Sequence, residues 1–385
     1  MNTSAPRSKL PNLGITIFTQ MSALAQAEGA INLAQGFPDF EIHEGLITSA
    51  HEATRLGLNQ YAPMTGLPEL KSAISNMLKR TRQITVCPET ELTVTSGGTE
   101  ALFCAISSLV QPGDEVLIFE PAYDSYKPVI ELSGAKAVPI ELAPPHFQIP
   151  WEEVKRNINQ KTKAIILNSP HNPTGSILNS TDIQNLASLA ESHSFWIISD
   201  EVYEHIVFGG AKHESPTQNE LLRSRSFIIS SFGKTFHATG WKVGYCLAPE
   251  ALTREFRKIH QYVTFSTPGP FQYAFAKSLS EPKLYEGLKT FYQEKRDLLK
   301  RLLEDSPFQF LPCYGTYFQL LDYSRVSTKG DLDFCKWMTT TAKVAPIPIS
   351  AFYSSGRDEK IVRLCFAKKK ETLEEAAHRI KKHTS

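Results

Sequence analysis

The chain has 385 residues, and at about 100–200 residues per domain two domains are the expectation. Hydrophobic residues make up 41%, enough for a large buried core and too many for a disordered chain. Lys plus Arg number 41 against 40 Asp plus Glu, so there is no electrostatic footprint for nucleic acid or an anionic membrane.

Met1 to Leu13 contains no apolar core of the kind a secretory signal has, so a cytoplasmic protein is expected by elimination. Strand-length apolar runs then alternate with helical patterns. ELTVT (91–95) leads into Ser96-Gly97-Gly98-Thr99 and a helical stretch from Glu100 to Val110. EVLIF (115–119) leads into Glu120-Pro121-Ala122-Tyr123. KAIIL (163–167) leads into a turn from Asn168 to Gly175. FWIIS (195–199) leads into Asp200-Glu201-Val202-Tyr203, and SFIIS (226–230) into Ser231-Phe232-Gly233-Lys234. Near-continuous β-branched runs of this kind predict an α/β fold with a mainly parallel central sheet covered by helices on both faces.

Leu284 to Leu303 reads as a helix leaving the larger unit. Beyond it Gly315–Leu321 and Ile361–Phe366 read as strands, and Asp331–Thr341 and Thr372–Lys382 as helices, of a smaller α+β unit. The expected division is an N-terminal segment 1–44 packing with the small domain, a large domain 45–283 and a small domain 284–385. No stretch approaches 18 uninterrupted apolar residues, so no membrane span is expected. The six cysteines lack C-x-x-C spacing and sit among apolar neighbours, so they read as small buried hydrophobes rather than a disulfide framework or a metal site. Lys368-Lys369-Lys370 reads as a solvated face.

In open α/β sheets ligands bind beyond the carboxyl ends of the strands. The residues just past each run are Gly98 and Thr99, Tyr123, Asn172, Asp200 and Tyr203, and Lys234. Together they match what pyridoxal phosphate asks of a protein. Lys234 offers an amine to hold the aldehyde as a Schiff base and to act as general base once released; taken alone, in a chain rich in lysine, it reads far more readily as a surface lysine at a strand end. Asp200 offers an anion to the pyridine nitrogen, or simply caps the next helix. Tyr203 and Asn172 can bond the phenolic oxygen, although Asn172-Pro173 is also a plain turn signal. Gly98 and Thr99 stand where a helix N-terminus would meet a phosphate, and Ser231 and Lys242 can add a hydroxyl and a cation. Tyr123 can stack on the ring or pack in the core. Arg363 lies in an apolar strand, which requires a partner: either an internal salt bridge or a substrate carboxylate gripped by its fork.

The segment SSFGKTFHATGWKVGY from Ser230 resembles the cofactor-lysine signature of class I aminotransferases. NLAQGFPDF from Asn32, NQYAPMTG from Asn59, SPHNPTG from Ser169, ISDEVYEH from Ile198 and VRLCFAKK from Val362 extend the likeness over nearly the whole chain. It is similar to the kynurenine/glutamine transaminase subgroup, and within it to the bacterial methionine aminotransferases. The resemblance implies fold type I and a ping-pong transfer of the amino group of methionine, and of aromatic amino acids, His or Gln, to a 2-oxo acid. It implies a homodimer with shared active sites, in which Tyr61 and Phe265 come from a second subunit to the phosphate and the side-chain pocket. It places the substrate carboxylate at Arg363, Asn172 and the backbone of Gly36, and Phe18 in the side-chain pocket. The same fold serves kynurenine transamination and cysteine-conjugate β-elimination as alternatives. Two positions depart from the pattern: Lys242 stands where many class I members have arginine, and Ser266 where the subgroup often has histidine.

Overall fold

Residues 7–384 are described by the computed structural model. Among them the strands, in chain order, are β1 (Ile31–Asn32), β2 (Leu92–Thr95), β3 (Glu115–Glu120), β4 (Lys136–Glu141), β5 (Thr162–Asn168), β6 (Trp196–Asp200), β7 (Ser226–Ser231), β8 (Gly244–Leu247), β9 (Gln309–Phe310), β10 (Phe318–Asp322), β11 (Val344–Ala345), β12 (Ile347–Pro348) and β13 (Ile361–Cys365). Seven of them form one sheet in the order β2-β8-β7-β6-β5-β3-β4. Every pairing is parallel except those of β8 with β2 and β7. Because β8 alone is reversed, the carboxyl ends of the other six strands and the entrance to β8 all lie on one edge.

The apolar runs are continuous because both faces of the sheet are covered. Leu117, Phe119, Ile165, Leu167 and Ile197 point into one hydrophobic cluster, which also takes in the C-terminal strands and helices. Their neighbours Val116, Ile118, Ala164, Ile166 and Ile198 point the other way, onto the helices Gly97–Leu109 and Glu250–Val263. Each Val, Leu, Ile or Phe among them contributes about 1.5–3 kcal/mol when fully buried. A four-stranded antiparallel sheet, β12-β13-β10-β9, places Leu320 opposite Arg363. β1 pairs in parallel with β11, and the Cys365 amide donates to Leu33 O at 2.8 Å, tying the chain start to this sheet.

Five anticipated runs are strands of the seven-stranded sheet to within a residue or two, and its other two strands carry no such run. β4 is a partly exposed edge strand interrupted by Pro139, which an edge tolerates because its N–H side needs no partner. β8 is four residues long and starts at the end of the glycine-rich lysine segment. The strand anticipated from Gly315 starts only at Phe318, since Thr316 has a left-handed φ of 67° and Gly315 bridges to Val207. The 284–303 helix is broken at Gly287 into Lys283–Glu286 and Leu288–Leu302. The helix from Asp331 stops at Trp337 and widens into a π turn over Met338–Ala342. Two surface readings are corrected. Lys368 is buried, because its ammonium donates to Phe37 O at 2.9 Å and sits over the Phe37 ring. Cys87, the N-cap of a short exposed turn, is exposed, while the other five cysteines are buried.

Gly244 shows how tightly the strand ends pack: a Cβ there would stand 2.5 Å from Ser230 O, a backbone atom that cannot move aside. Gly244→Ala is expected to cost about 1–3 kcal/mol of stability, read as a lowered urea midpoint. An unchanged midpoint would show that the β7–β8 ladder gives more easily than this packing implies.

Candidate active site

One cavity of about 370 Å³ opens along the edge where the strands end. Six loops reach it, one after each of β2, β3, β5, β6 and β7, and the one entering β8. Gly98 and Thr99 lie in the first turn of the helix Gly97–Leu109, Tyr123 three residues past β3, and Asn172 four residues past β5. Asp200 ends β6, with Tyr203 just after, Ser231 ends β7, and Lys234 lies in the short helix that follows. Gly36, Phe18 and Arg363 close the cavity from the other side. Twelve of the fourteen residues anticipated from sequence therefore meet in one place. Tyr61 and Phe265 do not line it. They pack edge to face on each other at 5.3 Å, and Tyr61 is 84% exposed, as is Tyr262 at 86%.

The Lys234 ammonium lies 2.9 Å from the Tyr317 hydroxyl, 3.4 Å from Gly36 O and 5.6 Å from the centre of the Tyr203 ring. Burial, with the nearby charges of Lys242 and Arg363, pulls its pKa down to about 8. A proton on this amine is thus exchangeable near neutral pH, unlike that of an ordinary lysine. Asp200 is shifted the opposite way. Burial pushes its carboxyl up to about 6, opposed by the Tyr126 hydroxyl, which donates to it at 2.6 Å, by the Val202 amide and by the charge of Lys234. A buried carboxylate with so little compensation is poised for a cation. Asn168 braces this end of the sheet, donating to Asp200 O at 2.9 Å and accepting from the Asn172 amide at 2.8 Å.

Arg363 is fully buried on β13 yet forms no ion pair among the described residues, so the internal salt bridge is set aside. One Nη donates to Asn172 Oδ1 at 2.6 Å and the other to Ala34 O at 2.7 Å, while its plane stacks 3.8 Å from the Phe318 ring centre. Its Nε is buried without a partner. A buried cation with an unused donor at the wall of a cavity is suited to an anionic ligand. A Cβ on Gly36 would stand 2.6 Å from Phe318 Cζ, so the main chain here approaches the cavity only as glycine. On the opposite side the Lys242 ammonium lies 3.5 Å from where a Cβ on Gly97 would stand, over a helix N-terminus whose first amides have no intrahelical acceptor. Beside them Tyr123 lines the cavity, its phenol pushed up by burial against the opposing pull of the Thr99 side chain. An amine, a carboxylate, a phosphate-type cradle and a guanidinium in one cavity fit pyridoxal phosphate and an α-amino acid.

Sequence reasoning missed the second layer. Tyr126 and Tyr317 touch Asp200 and Lys234, and Asp124 lines the cavity with its carboxyl pushed up by burial against the pull of Arg363. Beneath Asp200, buried Arg82 lies 2.7 Å from Glu201 and 2.6 Å from Glu204. Burial alone would raise the Glu204 carboxyl, but the Arg82 and His205 charges and the Ser230 hydroxyl hold it well below the usual range. Under the cradle helix, Glu100 accepts from the Ser96 amide and Cys104 and meets His260 Nδ1 at 2.8 Å, while His260 Nε2 meets Met64 O at 2.9 Å. Glu100, Cys104 and His260 could by type hold a metal ion, but these separations are those of hydrogen bonds, and the cluster reads as a brace to the 61–66 loop. The contacts of Tyr126 with Asp200, Tyr317 with Lys234, Arg82 with Glu204 and His260 with Glu100 join residues 74, 83, 122 and 160 apart, so no local motif signals them; only Tyr126 carried a hint, as a second tyrosine beside Tyr123.

The model of the family described as "Aminotransferase class I and II" matches residues 28–380. The chain is 48% identical over 381 residues to the methionine aminotransferase of Escherichia coli, covering 99% of both chains. It is 34% identical to kynurenine–oxoglutarate transaminase 3 of Rattus norvegicus, covering 96% of this chain and 88% of that one. A crystal structure of an Escherichia coli protein for which a methionine aminotransferase function was identified superposes with a TM-score of 0.96 at 48% identity, over 98% of this chain and 100% of that one. With this likeness along its whole length and a cavity built for the cofactor, the chain belongs to the class I and II aminotransferases, pyridoxal-phosphate enzymes of fold type I.

Proposed function

We propose that this aminotransferase moves the amino group of methionine, and of aromatic amino acids, His or Gln, to a 2-oxo acid by a ping-pong route, as a cytoplasmic homodimer. The observation that carries the donor class is the charge inventory of the cavity. Its lysines and arginine are Lys234, Lys242 and Arg363, each with a use on the cofactor or the α-carboxylate. None is left for a second carboxylate, Asp124 adds negative charge, and Phe18, Phe37 and Phe318 supply apolar wall suited to a thioether or a ring. The identity to the Escherichia coli methionine aminotransferase supports the same reading. Residues 45–283 would be the cofactor-carrying domain, with 1–44 and 284–385 supplying Gly36 and Arg363.

Pyridoxal phosphate, when bound, supplies an aldehyde that exchanges amines and a ring that accepts the electron pair of the substrate α-carbon. Lys234 holds the aldehyde and, once released, moves the α-proton at Nζ. Asp200 keeps the proton on the pyridine nitrogen. Asn172 and Tyr203 bond the phenolic oxygen, and Tyr123 stacks on the ring. Gly98, Thr99, Ser231 and Lys242 hold the phosphate, joined by Tyr61 of a second copy, while Arg363, Asn172 and the Gly36 backbone orient the substrate carboxylate. Phe265 of the second copy completes the side-chain pocket. The exposed Tyr61, Tyr262 and Phe265 support a dimer, since such aromatics favour a protein interface over water.

Steady-state kinetics over a panel of amino donors test this reading. Methionine and aromatic donors are expected to exceed aspartate and glutamate by at least about tenfold in kcat/KM, which is one charge or one pocket contact in free energy. A preference for the acidic donors would sink it. The role of Asp200 has its own test. Its carboxyl titrates near 6 when buried without a counter-cation. A pyridinium beside it would lower that value, so cofactor affinity is expected to fall by up to about tenfold per unit as pH drops below 6. Equilibrium dialysis across this range should show the slope in the wild type and lose it in Asp200→Asn.

A further inference from the structure

The proposal concerns Tyr317, which lies just before β10 and is 0% exposed. Its ring is held by Tyr203 at 5.1 Å, Phe318 at 4.9 Å and Tyr292 at 5.7 Å, and its carbonyl accepts from the Phe366 amide at 2.9 Å. The hydroxyl therefore has a fixed position. It has one hydrogen, which goes to Gly36 O at 2.5 Å. Its lone pairs are left to accept, and Lys234 Nζ donates to them at 2.9 Å. The other acceptor of the ammonium, Gly36 O, is at 3.4 Å, near the limit of a hydrogen bond.

We propose that Tyr317 is a positioning residue for the reaction: its hydroxyl is the acceptor that holds the Lys234 amine whenever that amine is not bound to the cofactor. This rests on the reading of Lys234 as the cofactor-bearing lysine. The arrangement answers a need of the chemistry. An amine released on a flexible four-carbon stem must stay in the cavity between covalent engagements, and a misplacement of an ångström is costly. Burial raises the pKa of Tyr317, so the phenol keeps its proton and serves as a bracket rather than a base. Because the same hydroxyl grips Gly36 O, the lysine and the loop offered to the substrate carboxylate are fixed by one atom.

The test is Tyr317→Phe, which removes a single oxygen from a ring that keeps its packing. The full-length protein is prepared in its pyridoxamine-phosphate form, where Lys234 is free. Amines are trace-labelled with acetic anhydride across a range of pH, and the extent of labelling at residue 234 is read by peptide mass spectrometry. The wild-type midpoint is expected near 8. Losing one acceptor destabilises the ammonium, so the variant midpoint should fall by about one unit. Its kcat should fall, and KM for methionine should rise with it, because the Gly36 loop loses the same bracket. A midpoint that stays at the wild-type value overturns the proposal, whatever happens to the rate, since a purely packing role would not move it. Borohydride reduction of the pyridoxal form separates this failure from failure of the underlying reading: an adduct on a lysine other than 234 would reject both.

Discussion

Lys234→Ala is expected to lower methionine turnover by about 10⁴-fold or more, the scale of losing a general base together with the covalent step it serves. No other group in the cavity can replace it. Lys242 is exposed and sits against Gly97 at the cradle, and Tyr317 is held as a neutral phenol by burial. The electrostatic and proton-transfer parts can be separated. Lys234→Arg retains a cation in the same place but cannot give up its proton in a protein, so it should be nearly as inactive as the alanine variant. Both should still bind cofactor through Asp200, Arg363's neighbours and the cradle, but neither should retain it after borohydride reduction and unfolding. An alanine variant turning over methionine within tenfold of the wild type would remove Lys234 from the centre of the mechanism.

The site was legible to the degree that its residues follow strand ends. Asp200, Ser231 and Lys234 sit where apolar runs stop, and a parallel sheet brings such points together whatever the loops do. The sequence pattern also located the buried arginine on β13, because a charge inside Val362-Arg363-Leu364 stands out. Its partners were another matter. Ala34 O and Asn172 Oδ1 lie 329 and 191 residues away, so only the tertiary fold brings them within reach. The same holds for Tyr317 beside Lys234, and for His260 beside Glu100. Two strands of the large sheet were hard to read for the opposite reason. β4 needs apolar residues on few of its positions, so it produces no run, and β8 borrows its glycines from the turn before it. Lys368 misled because three lysines in a row suggest solvent, whereas the first turns inward to a carbonyl.

Arg363→Lys is expected to raise KM for methionine by about 10²–10³-fold, with a smaller loss in kcat. The argument is geometric. Arg363 lines the cavity, uses one Nη on Asn172 and the other on Ala34 O, and has a buried Nε without a partner. A carboxylate docking there completes the donor set of a buried cation, an interaction for which truncation costs about 2–5 kcal/mol. Lysine keeps the charge but has no fork, cannot bond Asn172, Ala34 and substrate in one plane, and loses the stacking on Phe318 at 3.8 Å. Charge is not limiting in the wild type, since burial lowers the guanidinium only to about 10 and it remains protonated at neutral pH. Loss of general stability is a competing explanation, because the variant leaves two buried acceptors with weaker partners, at about 1–3 kcal/mol each. The two are distinguished with 3-(methylthio)propylamine, the methionine skeleton without its carboxylate. If Arg363 grips that carboxylate, wild type and variant should bind this amine alike while differing by two to three orders of magnitude on methionine. Equal losses on both compounds would mean that Arg363 only shapes the cavity, and the substrate carboxylate would then have to be held elsewhere.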